Sequence, residues 1–180
     1  IFFSRMFGNS TRSHAIISFN ADGEPTISVT KNYGKDGTTI LSEVVADFAA
    51  VQFDDEGNIV GGDLDQKTYR WDQASNKRGT LRSHAIISFN TDGNPSVSVT
   101  TTYKKDGTTP VERTYADFAL VNFDEENNIV GGILVQDTYR MNDDGTEGTK
   151  RSHVEIEFNT EGNPKKSTTT NYKRSGITPE

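Results

Sequence analysis

Hydrophobic and polar residues alternate along much of the chain, which is typical of β-strands with one buried face. In the segment 14–20, Ala15, Ile17 and Phe19 alternate with polar residues. The next residues, 21–25, contain Asp, Gly and Pro, which are the residue types that tight turns prefer. The pattern therefore predicts a strand that ends in a hairpin.

Three more strands with hairpin-type turns between them are predicted after the first. They cover Thr26–Tyr33, about Val45–Phe53, and Asn58–Trp71. Within the last of these, the Gly61-Gly62 pair predicts a bulge, a bend or a close approach of two backbones. Helical periodicity is weak, and only Leu41–Ala50 is compatible with a helical turn.

The same strand pattern returns along the chain as an internal repeat. A shift of 70 positions aligns residues 12–71 with residues 82–141 without a gap, and about two thirds of the positions are identical. The first nine positions of this alignment are unchanged. A third copy begins at Arg151 and reaches the last residue after half a unit. The chain is therefore predicted to be a tandem repeat of one structural unit.

Four strands per unit with short connections predict an all-β fold, an antiparallel meander of about ten strands. The strands would form one continuous, solenoid-like sheet or, as the alternative, a closed up-and-down barrel. The predicted divisions are an apolar N-terminal segment at 1–11, β repeats at 12–81 and 82–150, and a half repeat or cap at 151–180. Because the sequence does not begin with Met, we expect a processed chain or part of a longer one.

Comparison of the copies separates the two faces of the predicted sheet. In the third copy, Glu155 and Glu157 replace an isoleucine and a serine. The alternating positions equivalent to Ala15, Ile17 and Phe19 stay apolar. We therefore expect the face with these three residues to form the core and the opposite face to contact water.

Charged residues replace apolar ones in other strands too. Lys166 stands at the position of Ile27 in the first copy, which favours a solubilising cap at an exposed sheet edge. Alternatively, a hairpin from another subunit completes this half unit. The first copy has Asp63 and Asp65 where the second has aliphatic residues, so that face is expected to be wet in the first copy.

Composition limits both the core and the classes of partner. Only 32% of the residues are hydrophobic, which is lean for a globular core. The net charge of −7 argues against nucleic acid and against an anionic membrane surface as partners. The chain has no cysteine and no apolar run of the length that a transmembrane helix requires, which excludes disulfides and a helical membrane span.

Candidate metal ligands are present but widely separated. His14, His84 and His153 are the only histidines, and each follows Arg-Ser. Stacked units would hold them one unit apart, too far for shared coordination, whereas a closed barrel could bring them nearer. The acidic turns lack the spacing of a calcium loop and have the residue types of ordinary hairpin turns. We therefore predict no metal and no cofactor.

The sequence also lacks the motifs of common enzymes. It has no Gly-x-Ser-x-Gly elbow, no cysteine nucleophile and no glycine loop that would hold phosphate, so no catalytic residue is predicted. Recurrent tyrosines near strand ends are candidate binding residues for a carbohydrate or a peptide. They are Tyr33, Tyr69, Tyr103, Tyr139 and Tyr172.

The phrase at residues 53–60 resembles strand–turn–strand phrases of bacterial surface and appendage proteins. The resulting hypothesis is an acidic, non-enzymatic structural or adhesive protein of an extracellular or cell-surface assembly. Self-association through edge strands such as the apolar residues 1–7, or binding to another surface protein, would build the assembly. The alternative is a small-ligand-binding β-barrel.

Overall fold

The computed structural model describes residues 3–7 and 10–179, and side chains from residue 12 onward. The described residues form eleven β-strands. The strands are β1 Phe3–Phe7, β2 Ser10–Phe19, β3 Pro25–Tyr33, β4 Ile40–Phe53, β5 Ile59–Asp72, β6 Lys77–Phe89, β7 Pro95–Tyr103, β8 Pro110–Phe123, β9 Ile129–Met141, β10 Glu147–Phe158 and β11 Pro164–Asn171. In this part of the chain no helix has the length and apolarity needed to cross a membrane.

The strands form one open antiparallel sheet whose order is the order of the sequence, from β1 to β11. The predicted all-β antiparallel meander is confirmed. The closed barrel is wrong, because β1 and β11 are the two edges of the sheet and do not pair with each other in the described residues. The helical turn considered at Leu41–Ala50 is also wrong, since this segment lies within the continuous strand β4.

Strand positions recur along the sheet at the spacing of the sequence copies. The bounds of β3 and β4 reappear 70 positions later in β7 and β8. The predicted boundaries after residues 81 and 150 fall inside β6 and β10, so the sheet runs without a break through them. The division into repeat units stays a prediction.

Side chains that bind their own backbone close the hairpins between these strands. In the β2–β3 turn the side-chain Oδ1 of Asn20 accepts hydrogen bonds from the N–H groups of Asp22 and Glu24, at 3.0 and 2.9 Å. Asp54 accepts the equivalent pair in the β4–β5 turn. Such local bonds favour a turn over continued strand. The polar turn residues therefore fix where each strand ends.

The Gly61-Gly62 pair allows a close approach of the backbones of β4 and β5, as the sequence predicted. Gly62 has φ +83°, and a Cβ at this position would lie 2.1 Å from the carbonyl oxygen of Ala50. The register of the two strands shifts between Asp47 and Ala50, which marks a bulge. Gly132 repeats this arrangement in β9 against Leu120. Only glycine fits such positions.

The apolar side chains gather on one face of the sheet, over the hairpin of β8 and β9. Ala116, Val121 and Leu134 form the buried cluster. Ile156 and Phe158 of β10 pack against it. These two residues are the third-copy equivalents of Ile17 and Phe19, so the predicted choice of the apolar face is confirmed there.

Phe19 itself departs from the predicted core. Its side chain is 44% exposed, whereas Phe89 and Phe158 in the equivalent positions are half-buried. Phe89 lies opposite Gly62 of β5, and Phe158 lies opposite Gly132 of β9. No described residue lies opposite Phe19 on the same side, because β1 pairs with β2 only as far as Ala15. Among the described residues the Phe19 ring therefore has no cross-strand neighbour on the β1 side, unlike Phe89 and Phe158.

The sheet is a single layer with an unusually large surface. Its accessible surface is 11258 Å², whereas a compact protein of 19.9 kDa is expected to expose roughly 8,700 Å². No large side chain of the described residues is fully buried. This agrees with the low hydrophobic content of the sequence, and residues such as Asp63 are exposed on the face that was expected to be wet in the first copy.

We expect Leu134→Ala to lower the free energy of unfolding by about 2 kcal/mol, because it removes part of the buried cluster and leaves a cavity. The matched control is Leu120→Ala, since Leu120 is 62% exposed and lies on the opposite face. It should cost less than about 0.5 kcal/mol. Urea unfolding followed by circular dichroism measures both, and equal losses would contradict the assignment of the core face.

Candidate functional site

The five candidate tyrosines come to one end and one face of the sheet. All of them lie on or directly after odd-numbered strands, close to the carboxyl ends, and these strands run in the same direction. The cross-strand register places them on the face opposite the apolar cluster. All five side chains are half-buried. The tyrosines in question are Tyr33, Tyr69, Tyr103, Tyr139 and Tyr172.

Cationic side chains lie against several of these rings. The Lys150 ammonium of β10 is 6.0 Å from the ring centre of Tyr139 and 5.7 Å from that of Tyr172. The guanidinium of Arg78 lies 4.7 Å from the ring centre of Tyr69. Such contacts stabilise by about 0.5–1 kcal/mol at exposed sites. These tyrosines therefore help to hold neighbouring strands together.

Two arginines form hydrogen bonds with backbone carbonyl groups at the same end of the sheet. Arg70 of β5 donates to the carbonyl oxygens of Leu81 in β6 and Tyr103 in β7, at 2.5 and 2.8 Å. Arg140 of β9 repeats this arrangement with carbonyl oxygens in β10 and after β11, at 2.8 and 3.0 Å. Each guanidinium thus connects its own strand to the following strand and to the segment after that one.

These arginines were not among the residues predicted from the sequence. The signal was present, because Thr68-Tyr69-Arg70 is retained unchanged 70 positions later. Tyr69 lies against Arg78, whereas Tyr139 and Tyr172 both lie near Lys150. A role of the tyrosines in binding a carbohydrate or a peptide stays a prediction.

The histidines lie far apart and on separate strands. His14 is in β2, His84 in β6 and His153 in β10, so four strand spacings separate each from the next, about 19 Å. Residues 12–179 contain no group of three His, Cys, Asp or Glu side chains that could hold a metal ion. Metal coordination shared between these histidines is therefore ruled out by distance.

His84 and His153 instead pair with carboxylates of the preceding strand. The His84 Nε2 atom is 2.9 Å from Asp65, and the His153 Nδ1 atom is 2.7 Å from Asp137. Lys150 also contacts Asp137, at 2.7 Å. Burial raises the pKa of the Asp137 carboxyl, but the hydrogen bonds from Lys150 and His153 outweigh it and hold the pKa below its ordinary value.

The carboxylates of the acidic turns accept hydrogen bonds from residues of the same turn. Asp106 in the β7–β8 turn accepts a hydrogen bond from the Thr109 hydroxyl at 2.5 Å and from the N–H groups of Thr108 and Thr109 at 2.9 Å. These bonds lower the pKa of Asp106 to about 2. The same bonds occur at Asp36 in the first copy. The geometry fits turn formation, which is the interpretation that the sequence favoured over calcium binding.

Grooves lie between neighbouring hairpin turns on one end of the sheet. One of about 550 Å³ separates the β2–β3 turn from the β4–β5 turn and is lined by Asp22, Glu24, Asp54 and Glu56, among others. A second, of about 380 Å³, continues along Pro25, Phe48 and Phe53. Both are open to solvent, unlike the enclosed cavity of a barrel.

Comparison with known proteins gives no family. No protein-family model and no curated protein sequence matches the chain. A crystal structure of a Bacteroides fragilis protein of unknown function is similar over 91% of this chain and 94% of that one, with a TM-score of 0.36 and 9% sequence identity.

We expect Thr109→Val to raise the pKa of Asp106 from about 2 towards its ordinary value, because the largest stabilising hydrogen bond is lost. The control is Thr108→Val, whose backbone N–H bond to Asp106 remains. Carboxyl carbon shifts followed by NMR during an acid titration give both values.

Because the pKa of Asp106 is lower in the folded state than in the unfolded state, this carboxyl makes the free energy of unfolding depend on pH. The Asp106 carboxylate stabilises the fold fully above its unfolded pKa of about 3.8 and loses this contribution as the pH falls through about 2. The stability difference between Thr109→Val and the unmodified protein should therefore shrink on acidification. A difference that grew at low pH would contradict this interpretation.

Proposed function

We propose that this chain is a non-enzymatic structural or adhesive β-repeat protein of an extracellular or cell-surface assembly. The supporting observation is a single-layer sheet of eleven strands in the described residues, with far more exposed surface than a compact protein of this mass. A sheet of this kind presents two broad faces and two edges. Its shape suits a spacer or platform on which other molecules assemble.

Self-association through an edge is the assembly mode that the topology supports. An edge strand has unpaired backbone donors and acceptors that can hydrogen-bond to another chain. β1 and β11 run in the same direction, because ten antiparallel steps separate them. Suppose that two sheets pair edge to edge with their apolar faces on the same side. Antiparallel pairing then requires β1 to pair with β1, or β11 with β11, about a two-fold axis. A contact of this kind uses the same edge of both chains, so it gives a dimer and not a longer chain of subunits.

The two edges differ in chemistry, which favours β1. β11 carries Lys165 and Lys166, and lysine on an edge strand discourages pairing with another chain. Lys165 also forms a salt bridge with Glu157 at 2.8 Å. β1 has the sequence Phe-Ser-Arg-Met-Phe, whose apolar residues suit strand addition.

Deletion of residues 1–7 should abolish self-association, because it removes the proposed pairing strand. Sedimentation velocity over a range of concentrations measures the oligomer size of the full chain and the deletion variant. The matched control is Thr168→Lys on β11, which adds charge to the other edge and should leave the oligomer unchanged. A full chain that stays monomeric at all concentrations, or an oligomer unaffected by the deletion, would contradict the proposal.

A further inference from the structure

One groove between hairpin turns is lined by a buried acceptor that has no hydrogen-bond partner. The groove has a volume of about 430 Å³ and separates the β6–β7 turn from the β8–β9 turn. Asn94 is one of its lining residues and is only 9% exposed. The Asn94 Oδ1 atom is buried and accepts no hydrogen bond. Because an unpaired buried acceptor destabilises a fold, a donor supplied by a ligand would satisfy this residue.

The other two copies of this turn leave no such acceptor. The first copy has Glu24 in this position, and its carboxylate accepts a hydrogen bond from the Asn20 amide at 2.7 Å. In the third copy Asn163 is exposed, and its amide donates to Glu161 at 3.3 Å. Within residues 12–179, the unpaired buried acceptor therefore occurs at this position in the second copy alone.

Negatively charged side chains surround Asn94 in the groove. Asp92, Asp124 and Glu125 line it, and the carboxylates of Asp92 and Glu125 accept no hydrogen bond from the described residues. Phe123 adds an apolar ring, and none of the described lining residues is Lys, Arg or His. The groove thus offers acceptors and negative charge, so a matching ligand must supply donors and positive charge.

The negative charge extends across the whole of this end of the sheet. Five turns lie here, at 20–24, 54–58, 90–94, 124–128 and 159–163. Together they contain ten Asp or Glu residues and no Lys, Arg or His. Neighbouring turns are two strand spacings apart, about 10 Å. An array of this kind favours a chain with several basic residues over a small amine, because each further cation meets another acidic turn.

A protonated amine fits the groove better than a metal ion does. Residues 12–179 contain no group of three His, Cys, Asp or Glu side chains that could hold a metal. Calcium also requires about six to eight oxygen ligands. An ammonium group has only three N–H donors to satisfy. The unpartnered acceptors of Asn94, Asp92 and Glu125 are sufficient for it.

We propose that this groove binds a lysine side chain from a polybasic segment of a partner protein. The ammonium group would donate to Asn94 Oδ1 and to the carboxylates of Asp92 and Glu125, while its aliphatic stem lies along Phe123. The acidic turns on either side would bind further basic residues of the segment. The inference rests on the proposed function and deepens it, because it gives the chemistry of a partner in the assembly.

A peptide of repeated Lys-Gly-Gly units tests the groove on the full-length protein. In an NMR titration at low salt, the peptide should shift the side-chain amide signals of Asn94. The control ligand is the same peptide with acetylated lysines, which keeps the length, loses the positive charge and should give no shift. Equal binding of the acetylated peptide would overturn the proposal. So would an Asn94 signal that moves with calcium chloride alone and not with the peptide, or one that never moves.

Glu125→Gln and Glu126→Gln form a matched pair of variants. Both remove one negative charge from the same turn, but Glu126 is not among the residues that line the groove. Glu125→Gln should weaken peptide binding at least about threefold, and Glu126→Gln should change it less. Equal weakening by the two variants would show diffuse attraction to the acidic end of the sheet and would overturn the groove as the site.

Asn94→Leu separates binding from folding. Leucine has a similar size and no acceptor, and the backbone N–H at this position keeps its hydrogen bond to Asn90. Peptide binding should weaken about tenfold, while the thermal midpoint stays equal or rises because an unpaired buried acceptor is removed. The matched control is Asn163→Leu at the equivalent exposed position, which should bind like the unmodified protein. Unchanged binding by Asn94→Leu would overturn the proposal.

The two glutamate variants keep the test valid if Asn94→Leu fails to fold, since both glutamates are exposed. The result is also separate from that of the dimer test. A chain that stays monomeric in sedimentation can still bind the peptide at the turns, and a dimer through β1 can form while the groove stays empty.

Discussion

The ladder of backbone hydrogen bonds between neighbouring strands is the interaction on which this structure depends. A sheet with no second layer cannot bury large side chains on either face, and no large side chain of the described residues is fully buried. Pairing between strands therefore satisfies backbone groups along the inner strands, while side chains contribute through cross-strand neighbours. This constraint explains how a chain with only 32% hydrophobic residues forms eleven ordered strands in its described part.

Polar and charged side chains stabilise the contacts between strands, which a hydrophobic core would stabilise in a compact protein. Arg70 and Arg140 bind carbonyl oxygens of two further strands, and Lys150 lies between two tyrosine rings and Asp137. The long aliphatic stems of such residues also cover apolar surface while their charged ends stay in water. A single-layer sheet can therefore be stable although much of its surface stays in contact with water.

The sequence was sufficient for the strand class, the turns and the apolar face, because these follow from local periodicity and from residues such as Gly62 whose geometry is special. The sequence alone did not predict which residues lie beside a given strand in the sheet. Phe19 and Phe89 have identical flanking residues, yet one is exposed and the other half-buried, since only the topology decides what lies beside them. The arginine contacts were hidden for the same reason, because they depend on the register between strands that are distant in sequence.

The order of strands in space is the order in which they are synthesised. Each new strand pairs with the strand that directly precedes it, through a connection of only a few residues, so the entropy lost in closing each loop is small. Contacts of this local kind favour rapid folding. The sheet can therefore grow hairpin by hairpin during translation, and no early strand has to wait unpaired for a distant partner.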